Sequence, residues 1–89
     1  MNMETSEQDL WAKMAQEVET LDAKGRSLVD QEKWKEASQV LYDMETAIQW
    51  GHPHNPKKTP IREKVRGYER YLDEKYKEKK GKDWVMGAD

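Results

Sequence analysis

The chain has 89 residues, which allows one domain with a small hydrophobic core. It contains no cysteine, so neither a disulfide nor a thiolate zinc site can stabilise it, and long helices and oligomer formation are the remaining sources of stability. No apolar stretch approaches the roughly 18 residues of a membrane span, and the polar N-terminus is unlike a signal peptide. We therefore expect a cytoplasmic protein that does not enter a membrane.

Charge is divided unevenly along the chain. Residues 1–56 carry five Lys/Arg against eleven Asp/Glu, a formal net charge of −6, whereas residues 57–82 carry eleven against five, a net charge of +6. This division indicates an anionic partner for the basic part, head-to-tail pairing of copies, or packing of a basic helix beside acidic ones.

Apolar residues spaced three and four apart predict a first helix over about residues 6–30. Ser6 is a suitable N-cap, with Asp9 three residues after it. Gly25 lies within the apolar seam, where glycine costs about 1 kcal/mol relative to alanine, so we expect close packing there. The seam consists of Trp11, Met14, Val18, Leu21, Gly25 and Leu28.

A break in this rhythm after Leu28 separates the first helix from a second, predicted over about residues 31–50. Asp30 is its predicted cap and Gly51 the C′ residue after it. Two seams joined by a very short connection predict an antiparallel helical hairpin. The second seam consists of Trp34, Ala37, Leu41, Met44 and Ile48.

A third helix is predicted over about residues 60–80, after a stiff loop at 51–59. Thr59 is its predicted N-cap, with Pro60 at the first helical position, and Gly81 ends it. Within the tail 81–89 we expect Trp84, Val85 and Met86 to dock. The predicted fold is all-α: one domain with an antiparallel hairpin and a third C-terminal helix, forming a small three-helix bundle. The apolar face of the third helix consists of Ile61, Val65, Tyr68, Leu72 and Tyr76.

The sequence contains no pattern typical of catalysis. Nucleophilic catalysis needs a Ser, Cys or Thr beside an oriented base. The chain has no cysteine, Ser6 is a predicted cap, and Ser27 and Ser38 are far in sequence from both histidines. His52 and His54 form an H-x-H pair, which lacks a third and a fourth ligand for a metal. We predict a protein that is not an enzyme and binds neither a metal nor a cofactor.

The basic third helix is a weak candidate for nucleic-acid binding, because five acidic residues lie among its lysines and arginines. Trp50 is the aromatic residue that we most expect to contact a partner, since it lies at the open end of the hairpin. The candidate binding residues are Trp50, His52, His54, Lys57, Lys58, Arg62, Arg66 and Arg70.

Residues 25–44 resemble a single tetratricopeptide repeat. The pattern G-x2-L-x3-E-x-W-x2-A-x3-L is matched by Gly25, Leu28, Glu32, Trp34, Ala37 and Leu41. Met44 departs from the pattern, since that family prefers a small residue there. An array of such repeats needs about three copies and this chain has one, so the resemblance implies a tight helical hairpin and no particular function.

The segment 41–50, LYDMETAIQW, resembles the terminal helix of small phage hairpin proteins. Those proteins sequester cyclic oligonucleotide signals of bacterial antiviral defence and assemble as oligomers. The resemblance covers ten residues, and in this chain a third helix follows where that family ends. It implies an oligomer that binds a small anionic ligand.

We predict a small helical binding protein that docks on a larger protein to inhibit or tether it. Such short chains are frequent among phage and mobile-element accessory proteins, including anti-CRISPR-like inhibitors of host defence. One alternative is an oligomeric sponge for a small anionic ligand such as a cyclic nucleotide, held at a subunit interface by Lys57, Lys58, Arg62 and Arg66. Another is a nucleic-acid adaptor that uses the basic third helix.

A homo-oligomer is predicted from the unequal lengths of the first two helices. The first, of roughly 25 residues, is longer than the second can cover. Its Leu10 and Trp11 end therefore needs a neighbouring subunit.

Overall fold

The computed structural model describes the backbone of residues 5–89 and the side chains from residue 8 onward. Three helices make up this part of the chain, α1 (Thr5–Asp30), α2 (Trp34–Ala47) and α3 (Lys58–Lys80), and it contains no strand. The predicted all-α fold of three helices is confirmed. The side chain of Ser6, the predicted cap of α1, lies outside the described side chains.

The three helices form an elongated bundle of 54 × 22 × 16 Å. α2 returns antiparallel to α1, as predicted for the hairpin, and α3 runs parallel to α1. Glu19 pairs with Lys64, and Asp30, further along α1, bonds to Tyr71, further along α3. We call the end with the starts of α1 and α3 the loop end, and the opposite end, where α3 finishes, the tail end.

The core lies between the helices and follows the predicted spacings. Leu21 and Leu28, which the α1 seam places in the core, are only partly buried and pack on its edge. Burial of apolar surface, worth about 25 cal/mol per Å², is the main stabilising contribution in such a bundle. The buried residues are Trp11, Met14, Val18, Val29, Trp34, Ala37, Val40, Leu41, Met44, Ile48, Ile61, Val65, Tyr68, Leu72 and Tyr76.

Gly25 lies where the ring of Tyr68 crosses α1. A Cβ atom at residue 25 would overlap that ring, so the absence of a side chain allows this close approach. The buried Tyr68 hydroxyl donates a hydrogen bond of 2.6 Å to the carbonyl oxygen of Ala37, and burial raises its pKa well above the usual range. One side chain therefore joins all three helices. The close packing predicted at Gly25 is confirmed.

α1 ends in a Schellman motif. The N–H of Lys33 donates to the carbonyl oxygen of Leu28, and the N–H of Glu32 donates to that of Val29, both at 2.9 Å. Glu32 has a φ angle of 60°, which is in the left-handed region that favours glycine. A glutamate therefore occupies the position that usually holds a glycine.

α2 is shorter at both ends than the predicted range 31–50. The predicted cap role of Asp30 is wrong, because its carboxylate accepts a hydrogen bond of 2.6 Å from α3 instead. At the other end Ile48 is the C-cap. The predicted C′ role of Gly51 is also wrong, since it lies three residues beyond that cap, where its positive φ of 87° brings it against the ring of Trp11.

α3 begins at Lys58, one residue before its predicted cap, Thr59. The side-chain oxygen of Asn55 accepts the N–H of Lys57, and its carbonyl oxygen accepts the N–H of Lys58, both at 2.9 Å. This turn replaces a threonine cap. Pro60 lies in the first turn of α3, where backbone N–H groups have no acceptor within the helix. The N–H that proline lacks therefore costs no hydrogen bond.

The tail after α3 folds back on α2. Gly81, with a φ of 74°, ends α3 as predicted. The indole N–H of Trp84 donates a hydrogen bond of 2.9 Å to the Ser38 hydroxyl. Val85 and Met86, however, are 65% and 53% exposed. Docking of the tail is therefore confirmed for Trp84 and wrong for the two residues after it.

Candidate functional site

Two α3 side chains fix the loop that joins α2 to α3, residues 48–57. The ammonium group of Lys58 donates to the carbonyl oxygen of Gly51, and the guanidinium group of Arg62 donates to that of Pro53, both at 3.1 Å. Lys58 is only 3% exposed. The loop is therefore held in one conformation by two points on a rigid helix.

The two histidines lie exposed on this loop, with ring centroids 5.5 Å apart. The backbone N–H of His54 donates to Nδ1 of His52 at 3.1 Å. Nδ1 of His52 therefore already accepts a hydrogen bond within the loop. No group of three or more metal-ligating side chains occurs in the part of the chain that the structure describes.

Trp50 lies in this loop and is 41% exposed. Its ring packs edge-to-face on Trp11, with centroids 4.8 Å apart. The chain itself buries Trp11 against Gly51 and the core, so the prediction that Trp11 needs a neighbouring subunit is wrong. Leu10, the other residue of that prediction, is exposed.

The candidate cations do not converge on one site. Lys58 is buried and bound to the loop, whereas Lys57 faces the groove between α1 and α3. Arg62 and Arg66 line a shallow groove between α2 and α3 together with two glutamates. Arg70 is exposed further along α3. Sequence reasoning identified the exposed loop residues but missed the buried role of Lys58.

Several lysines of α3 are paired with carboxylates. Exposed pairs contribute at most about 1 kcal/mol each, but they reduce the positive potential of the helix. α3 is therefore not a continuous basic surface. The pairs are Lys64–Glu19 at 3.2 Å, Lys75–Glu78 at 3.9 Å, Lys77–Asp83 at 3.7 Å and Lys79–Glu32 at 3.9 Å.

An apolar groove of about 450 Å³ runs between the first halves of α1 and α3, at the loop end. Sequence reasoning missed it. The sequence feature that indicates the groove is the pair Ala12 and Ala15, three residues apart beside the apolar seam of α1. Their side chains are too small to cover the core. The groove residues are Trp11, Ala12, Ala15, Val18, Glu19, Lys57, Pro60, Ile61 and Lys64.

The groove lies on the line of contact between α1 and α3, which we call the α1–α3 seam. Towards the tail end, a cluster of polar and aromatic residues covers this seam. Arg26 pairs with Asp22 at 3.0 Å and lies over the Tyr71 ring, 4.7 Å from its centroid. The Tyr71 hydroxyl donates a hydrogen bond of 2.6 Å to Asp30, which raises the pKa of Tyr71. The seam is therefore covered at the tail end and open at the loop end.

These features define an all-α three-helix bundle with a rigid aromatic loop and an open apolar groove. No family model, curated protein or solved structure matches the chain. The two sequence resemblances and the phage or mobile-element origin therefore stay predictions. Within the described residues, no helix combines the length and the apolar character needed to cross a membrane.

Proposed function

We propose that this chain is a non-enzymatic binding protein that docks on a larger protein through its loop end, to inhibit or tether it. The observation that carries the proposal is the support of Trp50, an exposed ring that packs edge-to-face on the buried Trp11. Tryptophan is enriched among the residues that contribute most to protein interfaces. A ring that is already fixed loses little conformational entropy when a partner covers it.

The loop residues that follow Trp50 support the same proposal. His52 and His54 are exposed there, on a backbone held by Lys58 and Arg62. An aromatic centre with polar neighbours is the usual composition of a docking patch, in which the rim excludes water from the centre. Because the loop does not need to be ordered on binding, docking avoids that entropic cost.

The two alternative functions receive less support. A sponge for a small anion needs several cations around one ligand, whereas Lys58 and Arg62 already bind loop carbonyls. A nucleic-acid adaptor needs a basic surface, and four lysines of α3 pair with carboxylates. Native mass spectrometry of the gently purified protein distinguishes the sponge, which would carry the added mass of a nucleotide.

Affinity capture from a lysate of the cells that express the protein tests the docking proposal. The bait is the wild-type chain, and Trp50→Ala removes the exposed ring. Tyr42→Ala is the matched control, because Tyr42 is also exposed, at 59%, but lies on α2 away from the loop. We expect one protein to be retained by the wild type and by Tyr42→Ala, and to be lost with Trp50→Ala.

Two results would contradict the proposal: no protein retained specifically by the wild type, or equal retention by Trp50→Ala. Circular dichroism must first show that both variants keep the helical content of the wild type. Tyr42→Ala should change the stability little, whereas Trp50→Ala also removes the packing on Trp11 and should lower the free energy of unfolding by about 1 kcal/mol.

A further inference from the structure

Two exposed apolar surfaces lie at opposite ends of the bundle. One is the groove between α1 and α3 at the loop end. The other is the tail pair Val85 and Met86, which are 65% and 53% exposed although the neighbouring Trp84 is anchored to Ser38. Exposed bulky side chains on an anchored segment and an open groove lined by alanines are both apolar surfaces that water covers in a single copy.

The charges beside these two surfaces are complementary. The charged residues that line the groove are Lys57, Lys64 and Glu19, and Glu19 pairs with Lys64 at 3.2 Å, so Lys57 accounts for the net positive charge of the groove. The tail pair is flanked by Asp83, which pairs with Lys77 at 3.7 Å, and by the exposed Asp89. An apolar segment beside the Asp89 carboxylate therefore matches an apolar groove beside the Lys57 ammonium group.

The groove and the tail of one chain cannot meet while the tail keeps its anchors. The Tyr76 hydroxyl donates a hydrogen bond of 3.2 Å to the carbonyl oxygen of Asp89. Sixteen residues of α3 separate Tyr76 from Pro60 in the groove, which is about 24 Å at 1.5 Å per residue. Contact between the two surfaces therefore requires two copies.

We propose that the groove binds the Val85–Met86 segment of a second copy, with Asp89 of that copy facing Lys57. The contact is head-to-tail, because one copy contributes its tail and the other contributes its groove. In a pair of copies, one groove and one tail remain unoccupied. Further copies therefore add to the pair and form a ring or an open chain. This inference does not depend on the docking proposed for Trp50.

Sedimentation of the purified chain over a range of concentrations tests the contact. The wild type is expected to show species larger than a dimer at high concentration. Ala12→Glu places a carboxylate in the groove, and Met86→Glu places one on the tail. Each is expected to weaken self-association at least tenfold. Leu10→Glu is the control, since Leu10 is exposed outside both surfaces, and it should behave as the wild type.

Mixing the two variants tests the head-to-tail geometry. The Met86→Glu chain keeps an intact groove and the Ala12→Glu chain keeps an intact tail, so the mixture should form 1:1 heterodimers and nothing larger. Native mass spectrometry with one variant isotopically labelled identifies them. If Met86→Glu loses helicity, Val85→Asp provides the same test.

Three results would overturn the proposal. The first is a wild type that stays monomeric at its highest soluble concentration. The second is self-association that neither groove nor tail variants weaken. The third is a mixture without heterodimers, which would indicate a self-complementary contact or another surface.

Discussion

The two halves of the seam between α1 and α3 differ although the same pair of helices forms both. Towards the tail end, long side chains cover the seam through the contacts of Arg26, Tyr71 and Asp30. Towards the loop end, Ala12 and Ala15 leave a groove of about 450 Å³. The helical backbone is continuous through both halves, so the side chains that flank the seam decide whether it is covered.

This difference teaches that a small bundle can divide stability and binding along one pair of helices. In the tail half, Gly25 lets the Tyr68 ring cross α1, and the chain completes its own packing. In the loop half, small side chains leave apolar surface uncovered. The tail half needs no partner, and the loop half offers a surface to one.

Gly25→Ala should have the largest effect on stability, because it disturbs the packing of the tail half. The added Cβ overlaps the Tyr68 ring, and overpacking of this kind costs about 1–3 kcal/mol. We expect the free energy of unfolding, measured by urea titration, to fall by about 2 kcal/mol. Gly67→Ala is the matched control, because its Cβ would contact only Arg26, at 3.9 Å, and the helix should gain up to ~1 kcal/mol.

High pH should lower the free energy of unfolding through Tyr68 of the same half. Burial raises the pKa of Tyr68 above its usual value of 10.0, so the folded protein holds this proton more tightly than the unfolded chain. Its contribution to stability is complete below pH 10 and is lost as the pH rises further, by about 1.4 kcal/mol per pH unit. Urea titrations between pH 9 and about 11 measure this slope, and Tyr68→Phe should reduce it. An unchanged slope in that variant would assign the effect to other groups.

Ala15→Leu should have the opposite sign to Gly25→Ala, although both substitutions add carbon atoms to α1. The groove has room for the larger side chain, and burial of its apolar surface should raise the free energy of unfolding by about 1 kcal/mol. Thermal unfolding monitored by circular dichroism measures the change. A loss of stability would mean that the groove is less open than described.

Glu32→Gly should give the smallest effect and a gain. Glu32 occupies the left-handed position of the Schellman motif, where a residue other than glycine costs about 1–2 kcal/mol. Part of the relief is offset by the freedom of glycine in the unfolded chain and by loss of the exposed pair with Lys79. We expect a net gain of about 0.5 kcal/mol in urea titration. Gly81→Ala makes the reverse change at a φ of 74° with no neighbour within 4 Å, and should be destabilising.

Periodicity predicted the helices, the hairpin and the close packing at Gly25, because burial recurs with the helical repeat. It did not predict which flank of α1 would be covered by α3. Ala15 and Leu21 both border the seam, yet Ala15 lines an open groove while Leu21 packs on the core edge. That choice depends on the direction of α3, which the local sequence does not contain.

The candidate site was predicted only in part, for the same reason. Trp50 and the two histidines are exposed next to Pro53, and loop residues around a proline can be recognised from sequence. Lys58 looks like one more exposed cation in a basic run. Its burial depends on a contact with the carbonyl oxygen of Gly51, seven residues earlier, which forms only when the loop closes.

The burial of Lys58 also makes it a chemical reporter of loop opening. It is the buried one among the twelve lysines of the sequence, all of which lie in the described part of the chain. Amine acylation should label the other lysines quickly and Lys58 slowly, at a rate limited by release of its ammonium group from the loop. The ratio of these rates, read by peptide mass spectrometry, gives the free energy of a local opening that global unfolding does not detect.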